Sequence, residues 1–126
     1  MRTFRNFLLI AMAVAALGGC AVESVKNIFQ SKGEPELSTG IRNYEDGKYS
    51  EASKSLHSAL DLGLNDSEQV RAHKYLAFMH CASGREKQCR DEFSKALDIN
   101  PALELEPAEA GHPMWGPVFR SVKAHR

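Results

Sequence analysis

The chain has 126 residues, with 16 Lys and Arg against 16 Asp and Glu and no formal net charge. That length suits one domain. The balanced charge, without a basic stripe, argues against a nucleic-acid partner.

Residues 1–19 read as a secretory leader. Arg2 and Arg5 supply a basic start, and the apolar run from Phe7 to Leu17 is too short to span a bilayer. Leu17-Gly18-Gly19-Cys20 resembles the bacterial lipobox, in which the cysteine becomes the first mature residue and carries the lipid. Several acyl chains on Cys20 would anchor a domain firmly, where one chain binds only marginally. Ala21, in place of an Asp that would resemble an inner-membrane retention signal, favours the outer membrane with the domain facing the periplasm. Without the leader, 107 residues remain, with 14 basic and 16 acidic side chains.

Residues 20–34 read as a lipidated tether, and 35–126 as the folded domain. Val22, Val25, Ile28 and Phe29 can form one face of a short helix, interrupted by Gly33. Pro35 suits a helix's first turn, so a helix is expected over about 36–45. Ser50 is expected to cap a second helix that ends at Gly63, and Asp66 or Ser67 to cap a third. The third, about 70–82, is apolar on nearly every side, which implies neighbours on more than one side. Ser83-Gly84 breaks it. The fourth, about 87–99, places Cys89, Phe93, Ala96 and Leu97 on one face, and Pro101 stops it.

The spacing of Cys89, Phe93, Ala96 and Leu97 repeats that of Ala52, Leu56, Ala59 and Leu60, displaced by 37 residues. Gly47 then falls where Gly84 falls, and Gly40 where Ala77 falls. Such self-similarity marks helical-repeat arrays. Gly40, Gly47, Tyr49, Ala52, Leu56 and Ala59 resemble the frame of a tetratricopeptide (TPR) repeat, and Ala77, Gly84, Cys89, Phe93, Ala96 and Pro101 resemble it more closely. Two departures stand: the TPR period is about 34 residues, and Cys89 replaces a small Ala. The resemblance implies an all-α domain of two TPR-like hairpins; the alternative is a helical bundle without that ancestry.

Past Pro101, Leu103 to Glu106 alternates and reads as extended or irregular, and Pro107, Gly111, Pro113 and Pro117 punctuate the rest of the segment. Trp115, Val118, Phe119 and Val122 then form one stripe, giving a C-terminal helix over about 117–125 that caps the second hairpin. Two repeats are fewer than an array usually needs, so the cap and a homodimer contact are the expected sources of further burial.

The runs CASGREKQCRDEFSKALDINP and LELEPAEAGHPMWGPVFRSVK, with the lipobox, resemble the small TPR lipoproteins of type VI secretion clusters, the TssQ-like group. That resemblance implies an accessory assembly component working by protein–protein interaction, not an enzyme. A helper for pilus or outer-membrane protein assembly is the alternative, and a periplasmic enzyme or small-ligand sensor the alternative of another class.

Cys81 and Cys89 flank the turn at 83–86, and the hairpin geometry and an oxidising periplasm allow a structural disulfide. The five His lack metal-ligand spacing, no cofactor motif stands out, and no Ser/His/Asp set or placed carboxylate pair suggests catalysis. In TPR proteins the first helix of each repeat lines a concave face. Carried over, this gives Leu37, Ile41 and Tyr44, then Arg71, Lys74 and Phe78, as partner-binding positions suited to an acidic or C-terminal peptide segment. The aromatic patch at Trp115 and Phe119 is a second candidate. On the opposing reading, Leu37, Ile41 and Phe78 are core and Trp115 belongs to the cap.

Overall fold

A computed structural model describes residues 30–126. The leader, the lipidation site Cys20 and the stretch from Val22 to Phe29 lie outside the described residues. The described part is all-α: α1 Glu34–Glu45, α2 Tyr49–Leu62, α3 Asp66–Ala82, α4 Glu86–Ile99, a short α5 Pro107–Ala110 and α6 Gly116–Ala124.

The same backbone device closes both hairpins. After α1, the amide of Lys48 donates to the carbonyl of Asn43 at 2.8 Å, and that of Gly47 to Tyr44 at 3.0 Å. After α3, Arg85 donates to His80 at 2.8 Å and Gly84 to Cys81 at 3.1 Å. These paired bonds form a Schellman motif, which needs a left-handed residue just past the helix. Gly47 and Gly84 supply it, at φ 74° and 75°. The spacing of 37 therefore holds from the turns into α2 and α4, each of 14 residues, with Ala52, Leu56 and Ala59 buried in one and Cys89, Phe93 and Ala96 in the other.

Helix α3 lies at the centre. Its Ala72, Leu76 and Met79 pack with Leu37, Ile41, Leu56 and Ala59 of α1 and α2. Its Ala77, Phe78 and Cys81 pack with Phe93 and Leu97 of α4 and with Trp115, Val118, Phe119 and Val122. Two cores on two faces of one helix explain why its sequence is apolar nearly all round. Leu105 is buried in the second core and draws the 103–106 segment across it. Helix α6 packs on α4. It is held by Lys123, whose Nζ donates to the carbonyl of Leu103 at 2.8 Å, and by contacts of Lys123 with Glu104 and of Arg126 with Asp98.

Several boundaries differ from expectation. Helix α3 starts four residues early, because Asn65, not Asp66 or Ser67, is its cap. The Asn65 side chain accepts from the Glu68 amide, and Glu68 accepts from the Asn65 amide, each at 3.0 Å. This capping box opens a polar turn that apolar periodicity does not register. Ser50 does not cap α2: the helix begins at Tyr49, and Lys48 at its start makes no side-chain cap bond. Gly33 is buried and donates to the carbonyl of Gly63 at 2.9 Å, so α1 starts at Glu34 and the chain is already packed just before it. Helix α5 is an addition to the expected elements; Glu109 starts it by accepting from the Glu106 amide at 2.9 Å.

The Sγ atoms of Cys81 and Cys89 lie 2.03 Å apart, with Cα atoms 5.2 Å apart, and join α3 to α4 across the turn. Closing so short a loop removes about 2–3 kcal/mol of unfolded-state entropy.

Candidate partner-binding surface

Arg71, Lys74, Tyr75 and Phe78 recur at i, i+3, i+4 and i+7 and so share one face of α3. Tyr44, from the last turn of α1, meets Tyr75 edge-on with ring centroids 5.1 Å apart and lies 5.6 Å from Tyr49. At the far end Phe78 stacks on Trp115 at 4.5 Å, and Trp115 stacks on His112 at 3.4 Å. The result is a continuous aromatic strip running from α1 across α3 to the C-terminal segment. Trp115 is oriented by its Nε1, which donates to the carbonyl of Glu109 at 2.9 Å.

Only part of this strip is open. Of the seven positions expected to meet a partner, Leu37 and Phe78 are each 1% exposed, Ile41 8% and Trp115 9%. These four are packing residues, because the second hairpin and the C-terminal segment cover the faces they occupy. Lys74 is also withdrawn: its Nζ lies 3.0 Å from Glu109 and over the rings of Tyr75 and Phe78 at 5.3 and 5.8 Å. Its charge is spent on the cap, leaving Arg71 as the exposed cation of that face. Tyr44 is half-buried, as are Tyr75 and His112, while Tyr49 is exposed. Sequence reasoning passed over Tyr75 and His112. Tyr75 was signalled by its place between Arg71 and Phe78; His112 joins the strip only through a tertiary stack.

The phenols of Tyr44 and Tyr75 stay neutral through the physiological range. Burial, reinforced by Tyr49, Tyr75 and Glu109, pushes Tyr44 up to about 12, and burial beside Glu109 and Glu45 raises Tyr75. Both therefore offer a hydroxyl that donates and accepts, on a ring that stacks.

A second polar cluster lies between α3 and α4. Glu92 is buried, 2.6 Å from His73 Nδ1 and 3.1 Å from Lys95 Nζ. Burial alone would raise its carboxyl. The hydrogen bonds from His73 and Lys95, with their charges, outweigh burial and hold it below its ordinary 4.5. His80, on the same helix as His73, is held below 6.5 by burial and by Arg85. Both shifts mean that the unfolded chain binds more protons on the acid side, so stability falls as pH falls. The His80 contribution is present above 6.5 and lost below it; the Glu92 contribution is present above 4.5 and lost as pH drops through its lowered folded value. Urea melts from pH 7 to pH 3 should show two successive losses. Glu92→Gln should cost about 1–3 kcal/mol at pH 7 and remove the acid step alone. An unchanged acid limb in that variant would exclude the pair as its source.

Among the described residues no group of three or more His, Cys, Asp or Glu is placed to hold a metal ion, and no helix is long and apolar enough to cross a membrane. No family model, curated protein or solved structure matches the chain.

Proposed function

We propose that this is a TPR-like lipoprotein, anchored to the outer membrane through Cys20 and facing the periplasm, that holds a protein partner within a secretion or envelope assembly, type VI secretion first. The observation that carries this reading is the correspondence of the two hairpins at a spacing of 37 residues: the same paired turn bonds, equal lengths of α2 and α4, and buried residues at three matching positions, while Leu60, which matches the buried Leu97, is half-buried. Two stacked hairpins closed by α6 suit a repeat domain, whose last repeat needs a cover for its apolar face. The period exceeds the TPR norm of about 34 residues; the surplus falls after α2, where Gly63 and Leu64 separate it from the Asn65 cap.

The open part of the strip defines the binding role: Tyr44, Tyr49, Tyr75 and His112 provide stacking and hydroxyl groups, with Arg71 beside them. Aromatic and Arg side chains are the common anchors of protein interfaces. A protein segment is therefore the partner, and neither catalysis nor a cofactor is part of the reading.

Two measurements test it. Cys20→Ser should abolish processing and release the protein from the membrane fraction; full membrane retention of that variant would sink the lipoprotein reading. A photo-crosslinking residue in place of Tyr75, in the lipidated protein within intact envelopes, should capture a component of a secretion or envelope machine. Crosslinks no more frequent than from an α4 surface site such as Asp91 would remove the strip as the binding surface.

A further inference from the structure

Between α2 and the end of α3 lies a groove of about 460 Å³, lined in part by Tyr49 of the aromatic strip. Its floor is apolar, from the buried Leu76 and Met79. Its walls carry Ser50, Ser53 and Lys54 from α2, and His80, Ser83 and Arg85 from the end of α3 and its turn. No carboxylate lines it.

Several cations elsewhere in the domain are already paired. On α4, Lys87 pairs with Asp91, Arg90 with Glu86 and Lys95 with Glu92; at the C-terminus Lys123 pairs with Glu104 and Arg126 with Asp98. Lys54 and Arg85, by contrast, face the groove with no carboxylate partner among the described residues. Arg85 is moreover oriented: its Nε donates to His80 Nδ1 at 2.9 Å, which fixes the guanidinium and leaves both terminal amino groups open. An Arg held in this way presents the fork that binds tetrahedral oxyanions bidentately.

We propose that this groove binds a phosphate group, with Arg85 as the fork, Lys54 as the second charge and the hydroxyls of Ser50, Ser53 and Ser83 as additional donors. The donor count favours phosphate over carboxylate. An Arg fork, an ammonium and three hydroxyls exceed what two carboxylate oxygens accept, and they match the three or four oxygens of a phosphate. The apolar floor and the volume leave room for what the phosphate is attached to. Charge brought beside Arg85 also acts on His80, whose neighbours are Arg85, Glu92, His57 and Lys95, and an anion there would raise its pKa. The proposal does not depend on the partner reading.

The test uses the full lipidated chain in neutral detergent micelles, titrated with inorganic phosphate and, separately, with a short-chain phosphatidic acid, at constant ionic strength held with chloride. The His80 ring resonances should move saturably and its pKa should rise. Lys54→Gln and Arg85→Gln should each weaken binding at least tenfold. Both residues are exposed, so the melting temperature should not move. Saturation by inorganic phosphate with equal or weaker binding of the lipid assigns a free phosphate or phosphate ester; tighter binding of the lipid assigns a headgroup; both uphold the site. Shifts that stay linear with both probes, or wild-type affinity in both variants, overturn it.

Discussion

Phe119→Ala should lower the melting temperature by more than about 10 °C. The Phe119 side chain is 3% exposed and meets Phe93 edge-on, with centroids 5.2 Å apart. It belongs to the core shared by α3, α4 and α6, with Phe78, Leu97 and Trp115. Truncating a buried Phe typically costs 3–5 kcal/mol, because the lost transfer energy is joined by a cavity that packed neighbours do not close. A domain of this size has total stability of about 5–15 kcal/mol, and each kcal/mol shifts its midpoint by about 4–8 °C. The loss should also detach α6 locally, since the ties of Lys123 and Arg126 are partly exposed ion pairs worth little by themselves. Hydrogen exchange should then rise in residues 116–124 and along α4 before it rises in α1 and α2. Phe119→Leu, which keeps most of the volume, should cost about a third as much. If Phe119→Ala left the melting temperature unchanged but abolished partner capture, α6 would be an interface and not a cap.

That α6 would form a helix with one buried face was legible from the period of Trp115, Val118, Phe119 and Val122, and α2 and α4 were legible from theirs. These helices bury one face, and periodicity records one buried face well. Helix ends were read less well. Asn65 outcompetes Asp66 and Ser67 because capping depends on which residue leaves the helical φ/ψ region, and Glu68 had to answer it three residues on. Ser50 has a capping side chain but falls inside the first turn of α2, since the Schellman bonds at Lys48 set where that helix begins.

The candidate surface was legible only to the level of the helix face. The i, i+3, i+7 spacing of Arg71, Lys74 and Phe78 puts them on one face of α3, but whether Phe78 meets solvent or Trp115 is decided by a segment 37 residues later in the chain. Lys74 reads as a free cation until Glu109, 35 residues on, reaches it. His73 and Glu92, 19 apart, likewise become a pair only when α3 and α4 close. Local pattern carries helix and face; the identity of what covers a face is long-range and left no local mark.

Gly40 provides the sharpest test of how closely the first hairpin closes. A Cβ at this position would lie 2.8 Å from both Cγ and Cδ2 of Leu56 and 3.2 Å from its backbone nitrogen. Leu56 is fully buried, so it has no free space into which to turn. In the second hairpin the equivalent pair is Ala77 and Phe93, which accommodate a methyl group at that position. Two effects oppose each other in Gly40→Ala. Replacing Gly inside a helix gains about 1 kcal/mol of helix propensity, whereas overpacking a filled core costs about 1–3 kcal/mol. The overlap is with a Leu branch and a backbone atom, so overpacking should win and leave a net loss of up to about 2 kcal/mol. Gly40→Val adds two further methyl groups and β-branching without the same propensity gain, and should cost about 3 kcal/mol or more. The cause can be isolated by a double-mutant cycle. Leu56→Ala alone should cost about 2–5 kcal/mol through its cavity, but in the Gly40→Ala background it should cost clearly less, because the new methyl then occupies space that Leu56 has vacated. Additive losses in the cycle, or a Gly40→Ala protein more stable than the parent, would mean that α1 and α2 are not in close contact at this crossing.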